Sequence, residues 1–186
     1  MIDNFNLILP LLNFDKSSHH VQILQRSKDG HDKSTRVVAS WFVTSESQLK
    51  FLYPGIVTLC EEYQARCYIM INSKSHKMFA WRLSDLLLSS IKSNSIQPIT
   101  TIFRSHDLCN GTNKIWVVDV DNPEVDLNEL EDKINSCRSG HSKNVIQRIP
   151  TKNGYHLLTH PFDLTQINLP DQVELNKNSS TLLFSF

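Results

Sequence analysis

Two carboxylates open the chemistry. The stretch "KIWVVDVDNPE", Lys114 to Glu124, reads as an apolar strand that ends in Asp119 and Asp121. Residues two apart on a strand point to the same face. Asp119 and Asp121 therefore project together, and Trp116, Val118 and Val120 pack the other way. Side by side, two ionised carboxylates repel. A divalent cation relieves that repulsion, and hard carboxylate oxygens with water suit Mg²⁺ or Mn²⁺, which also bridge phosphates. The plainer alternative makes Asp121 a helix cap and Asp119 a solvated strand end.

A second element lies downstream in "IPTKNGYHLLTHPFD". His156 follows a Lys152-Asn153-Gly154 turn. On a strand His156, Leu158 and His160 share one face, and Tyr155, Leu157 and Thr159 share the other. A histidine beside a bound phosphate can hydrogen-bond it and carry charge, and Lys152 adds a cation at the turn. Otherwise His156 is a satisfied sheet histidine and Lys152 an exposed turn lysine. Further cations sit in "QARCYIMINSKSHK". There Arg66 leads a strand, and Lys74, Ser75, His76 and Lys77 form a basic loop before a helix, a setting that suits phosphate. Residues 24–36, "LQRSKDGHDKSTR", are also basic and could touch a phosphate backbone. Solvated connections are the ordinary reading of both.

Softer ligands flank the acidic strand. His106 and Cys109 precede it, and Cys137 and His141 follow. Four such groups can hold zinc tetrahedrally. The gap between the pairs is long, however, and Cys137 also fits the apolar face of a helix, so Mg²⁺ or Mn²⁺ rather than zinc is the expected metal. The chain has no P-loop and no GxGxxG.

The elements that must position these groups divide near Asn113. In the first part, strands are predicted over 20–29 and 34–44, joined by a hairpin with "GHDK" at its tip. Apolar residues at Leu49, Leu52, Ile56, Cys60 and Tyr63 predict a helix over 46–63, kinked at Pro54-Gly55. A strand over 66–72 and an apolar helix over 77–93 follow. The polar residues 94–113, with Pro98, Asn110 and Gly111, predict a loop. In the second part, the acidic strand leads into a helix over 122–137. Asn122 is its expected cap, Pro123 sits in its first turn, and Leu127, Leu130, Ile134 and Cys137 lie on one face. A strand over 144–150 turns back through Asn153-Gly154, a hairpin signal, and "STLLFSF" predicts a last strand. The expectation is an α+β fold of one domain: an N-terminal α/β module over 1–113, packed on an RRM-like, split-βαβ half over 114–186.

Bulk properties set limits. The 186 residues carry no formal net charge, which argues against a basic nucleic-acid coat protein but leaves room for a local basic groove. Four cysteines without a CxxC suggest free thiols in a reducing compartment. The N-terminus shows no export signal, and no apolar run reaches the roughly 18 residues that span a bilayer. A cytoplasmic protein is expected, in the host cell's cytoplasm if it is viral, with no membrane partner.

The order of strand, DxD, helix, and strand pair with a small-residue turn and histidine resembles the archaeo-eukaryotic primase superfamily, as a small or divergent member. Asp119 and Asp121 match its first motif. Thr151, Gly154 and His156 match its second, a small residue followed by histidine. The family's third acid lies on a later strand, where Asp163 in "HPFD" and Glu174 in "DQVELNK" compete and Glu174 is the better placed. The likeness covers the layout of residues 20–180 and the motifs of 114–160. It implies a primase-polymerase nucleotidyltransferase, with Asp119, Asp121 and His156 catalytic and Asp119, Asp121 and Glu174 holding Mg²⁺ or Mn²⁺. It also implies contacts to nucleotide or nucleic acid from Arg66, Lys74, Lys77, Thr151, Lys152, Asn153, Gly154 and Lys177. The implied partners are nucleoside triphosphates, a single-stranded template and other replication proteins. Two alternatives stay open: a non-catalytic binding module of degenerate primase fold, and a metal-dependent phosphodiesterase. "IWVVDV" lacks the aromatic pattern of an RNA-binding RRM sheet.

Overall fold

The computed structural model of the chain describes residues 1–29, 34–93, 114–122 and 124–186. The expected hairpin tip at 30–33, the expected loop at 94–113 with His106 and Cys109, and Pro123 lie outside these residues. The fold is α+β, with two antiparallel sheets and four α-helices among the described residues.

The first sheet has six strands. They are β1 (Ile2–Asp3), β2 (Ser17–Gln25), β3 (Arg36–Val43), β4 (Arg66–Met70), the short β5 (Lys74–Ser75) and β10 (Ser180–Ser185). The order is β1-β10-β4-β2-β3, with β5 on β2. A short α1 (Phe5–Ile8) follows β1. Helix α2 (Glu46–Glu62) covers the sheet with Leu49, Ile56 and Cys60, the periodic apolar positions of its sequence. Its start is fixed by Ser45, whose hydroxyl accepts from the Gln48 N–H, while the Gln48 side chain accepts from the Thr44 N–H. Pro54 lies inside the helix, which continues past it to Glu62. Helix α3 (His76–Lys92) buries no residue completely, and Trp81 and Ile91 are exposed.

The second sheet contains β6 (Trp116–Val120), β7 (Val145–Pro150), β8 (Tyr155–Thr159) and β9 (Val173–Asn176), in the order β7-β8-β6-β9. Helix α4 (Leu127–Ser136) packs Leu130 and Ile134 against Val118, Val120 and Leu157. It begins later than the sequence suggests. Asn122 spends its side chain on the Glu124 N–H, closing a turn. Asp126 is the cap, accepting from the Asn128 and Glu129 N–H groups.

The opposite face of β6 carries Val117, which joins Ile149 and Leu158 in a larger core with Ile69, Leu183 and Phe184 of the first sheet. By strand alternation, that face also carries Asp119 and Asp121. The acids therefore look toward the first sheet. One strand departs from the expected division at Asn113: β10, expected with the second half, pairs with β1 and β4 of the first sheet. Asn4 reinforces the link, donating from its side chain to Pro150 O and Leu182 O at 2.9 Å each.

Candidate active site in the cleft between the sheets

The two acids open into a cleft of about 510 Å³ between the sheets. Its position follows from pairing register. Asp119 on the central strand β6 stands directly opposite His156 on β8 and Glu174 on β9. Directly opposed residues share a face, so His156, Asp119 and Glu174 form a row across the sheet. His156 Nε2 is 3.4 Å from Asp119 Oδ1. Its Nδ1 is 2.9 Å from Thr181 Oγ1 of β10. Asp119 Oδ1 is buried and accepts no hydrogen bond from the described residues. A buried, unmet carboxylate oxygen is costly unless a ligand completes it.

The turn before His156 is held tightly against the acids. The Thr151 N–H donates to Gly154 O, and the Gly154 N–H donates to the Thr151 hydroxyl. A Cβ at Gly154 would lie 1.9 Å from Val120 O and 3.2 Å from the Asp121 Cα. Only glycine lets the turn come this close. Thr151, Lys152 and Asn153 therefore line the cleft beside Asp121.

Cations face the acids from the first sheet and from the turn. The Arg66 guanidinium, at the start of β4, pairs with Asp29 Oδ1, and Lys152 Nζ lies 3.6 Å from the same oxygen. Arg26 donates to the Tyr68 hydroxyl at 3.1 Å. Burial pulls the Arg26 pKa down, but Tyr68, Asp29 and Asp121 outweigh it and hold it above the ordinary value. Arg26, Asp29, Tyr68 and Thr181 were not expected at the site. Arg26 and Asp29 lie in the basic stretch 24–36, which is the only hint the chain offers for them.

Other expected residues stand apart. Lys74 is buried, with Nζ 5.6 Å from the Phe42 ring centre, and lines a neighbouring pocket with His20 and Gln22 that meets the cleft at Tyr68. Lys77 is exposed on α3 and does not line the cleft. Lys177 sits 5.2 Å from the Trp116 ring, outside the cleft lining. Asp163 is occupied capping a short turn: it accepts from the Thr165 N–H and hydroxyl, bonds that hold its pKa below the usual range. Glu174 is exposed in its place opposite Asp119 and is not part of the cleft lining.

Among the described residues, no three His, Cys, Asp or Glu side chains are grouped closely enough to hold a metal ion. Mg²⁺ is commonly held by one or two carboxylates, with phosphates and water completing it. Asp119 and Asp121, which both line the cleft, fit that kind of site. Of the four groups weighed as zinc ligands, two are described: the Cys137 thiol donates to Lys133 O, and His141 stacks on His160 with ring centres 3.6 Å apart. Burial, then Asp163, pushes the Cys137 thiol pKa up.

No protein-family model, curated protein or solved structure matches this chain.

Proposed function

We propose that the chain is a primase-polymerase-like nucleotidyltransferase domain that takes nucleoside triphosphates and a single-stranded template into the cleft. The observation that carries this reading is the row His156–Asp119–Glu174, with Asp121 beside it on β6. It sets the acids, the histidine and the later acid of the primase-like motifs on three adjacent strands and one face. The strand order β7-β8-β6-β9, with α4 between β6 and β7, supports the split-βαβ reading of this half. A short 3₁₀ turn at Leu164–Gln166 stands where such a half carries its second helix.

In this reading Asp119 and Asp121 hold a divalent ion. When bound, that ion supplies charge neutralisation across the triphosphate. His156 donates from Nε2 to a phosphate oxygen. Arg66 and Lys152, on the far wall and the turn, offset further phosphate charge. A primer 3′-hydroxyl then attacks the α-phosphorus and gives up its proton to water, the bond from the α-phosphorus to the oxygen it shares with the β-phosphate breaks, and pyrophosphate leaves. The protein's part is positioning and electrostatics.

Primer synthesis and extension on a single-stranded template with Mn²⁺ test this, with the double variant Asp119→Ala/Asp121→Ala as control. Product from the wild type alone supports the polymerase. One observation favours a second reading, in which the cleft binds metal-triphosphate without catalysis: no third metal-binding side chain joins Asp119 and Asp121 among the described residues. Triphosphate binding with no product from the wild type would select that reading. Cleavage of the template without extension would select a phosphodiesterase.

A further inference from the structure

His156 has a second neighbour that the reaction above leaves unused. Thr181 is fully buried and belongs to β10 in the first sheet, whereas His156 belongs to the second. The 2.9 Å contact between Nδ1 and Thr181 Oγ1 therefore crosses from one sheet to the other. On the other side of the ring, Nε2 faces Asp119 Oδ1 at 3.4 Å. That is too long for a strong hydrogen bond but close enough for the carboxylate's charge to act.

A neutral imidazole has one N–H and one bare nitrogen. A bare Nε2 would set its lone pair against the carboxylate, whereas an N–H there meets it favourably. The proton therefore belongs on Nε2, and Nδ1 is left as an acceptor that needs a donor. In a buried setting, an unmet ring nitrogen is costly. A hydroxyl can donate or accept and turns to suit its neighbour. Thr181 also holds the ring's rotation, because a flipped ring would put carbon against the hydroxyl.

We infer that Thr181 is a positioning residue. Its hydroxyl donates to His156 Nδ1, fixes the Nε2–H form and aims that N–H into the cleft beside Asp119, ready for an anionic oxygen. The partner on one ring nitrogen thus decides what the other can do. The inference rests on the triphosphate reading of the cleft only for the identity of that oxygen.

Nitrogen-15 NMR of histidine-labelled wild type, above the imidazole titration range and without ligand, reads the tautomer directly. The expected spectrum has His156 protonated on Nε2, with Nδ1 accepting a hydrogen bond. Binding of ATP with Mg²⁺ is expected to weaken about tenfold in Thr181→Val and to return to within about threefold of wild type in Thr181→Ser. Thermal unfolding of both variants is measured alongside. Wild-type His156 protonated on Nδ1 overturns the inference, and it does so even if Thr181→Val fails to fold. A folded Thr181→Val that binds ATP as tightly as wild type also overturns it. A protein that makes no primer, yet shows Nε2–H and loses ATP affinity in Thr181→Val, removes the polymerase reading and leaves the role of Thr181 standing. A primer-making protein with Nδ1–H does the reverse.

Discussion

Arg66 and Asp29 form an ion pair that is nearly out of solvent and yet incomplete. Their side chains are 9% and 2% exposed. Arg66 Nη2 donates to Oδ1, and among the described residues Arg66 Nε and Asp29 Oδ2 are buried without hydrogen-bond partners. A guanidinium and a carboxylate can share two parallel bonds; this pair makes one. Because Lys152 leans on the same Oδ1, two cations are held by a single oxygen in the wall of the cleft.

A phosphate group brings more oxygens than Asp29 offers these cations. Asp29→Asn is therefore expected to tighten ATP binding about tenfold, or about 1.4 kcal/mol. It is also expected to lower the melting temperature of the free protein, because Arg66 loses its buried counter-charge. Thermal unfolding with and without ATP and Mg²⁺ measures both. Weaker ATP binding in the variant would mean that Asp29 serves the ligand rather than competing with it.

Asp119→Asn and Asp121→Asn keep the shape of the side chains and remove the charge. Each is expected to cost at least about tenfold in Mg²⁺-dependent ATP binding, with the fold intact. Titration calorimetry with and without Mg²⁺, beside circular dichroism, checks this. Unchanged metal dependence would end the two-carboxylate account.

Gly154→Ala tests the tightness of the turn. The added Cβ meets backbone, not a flexible side chain, at Val120 and Asp121. A loss of roughly 1–3 kcal/mol in urea unfolding is expected, and ATP binding should weaken with it because Asp121 is displaced. A variant as stable as wild type would show that the turn has room to move.

The stacked pair His141 and His160 sets a pH dependence. Burial, then His141, lowers the His160 pKa from 6.5. The unfolded chain therefore takes up a proton that the folded one resists. This contribution to stability is present above pH 6.5 and lost as the pH falls below it toward the folded value. Urea midpoints are expected to drop between about pH 7.5 and about pH 5.5, and to drop less in His160→Asn. An equal drop in both proteins would assign the effect to other groups.

The local parts of this site were legible in the sequence. Strand alternation puts Asp119 and Asp121 on one face, and the Asn153-Gly154 turn announces the hairpin that brings His156 back beside them. The helix after β6 was legible in its apolar face but not in its start, since Asn122 and Asp126 are both good caps and only the turn closed by Asn122 decides between them. Partners distant in sequence were not legible. Nothing near Asp29 shows that Arg66 will meet it, and nothing near Thr181 shows that it will reach across to His156. Such contacts follow from how the sheets stack, which no short pattern encodes.

The membership of β10 in the first sheet has a consequence for how the molecule is made. Residues 180–185 lie between β1 and β4, with Ile2 opposite Ser185 and Ile69 opposite Thr181. The ribosome must deliver the entire second sheet before the first can close. Until then β4, the strand that begins with Arg66, keeps one edge open, and such an edge invites pairing with other chains. Pairings this distant along the chain slow folding. The nascent protein therefore passes through a stage with residues 1–179 made and its larger sheet still split.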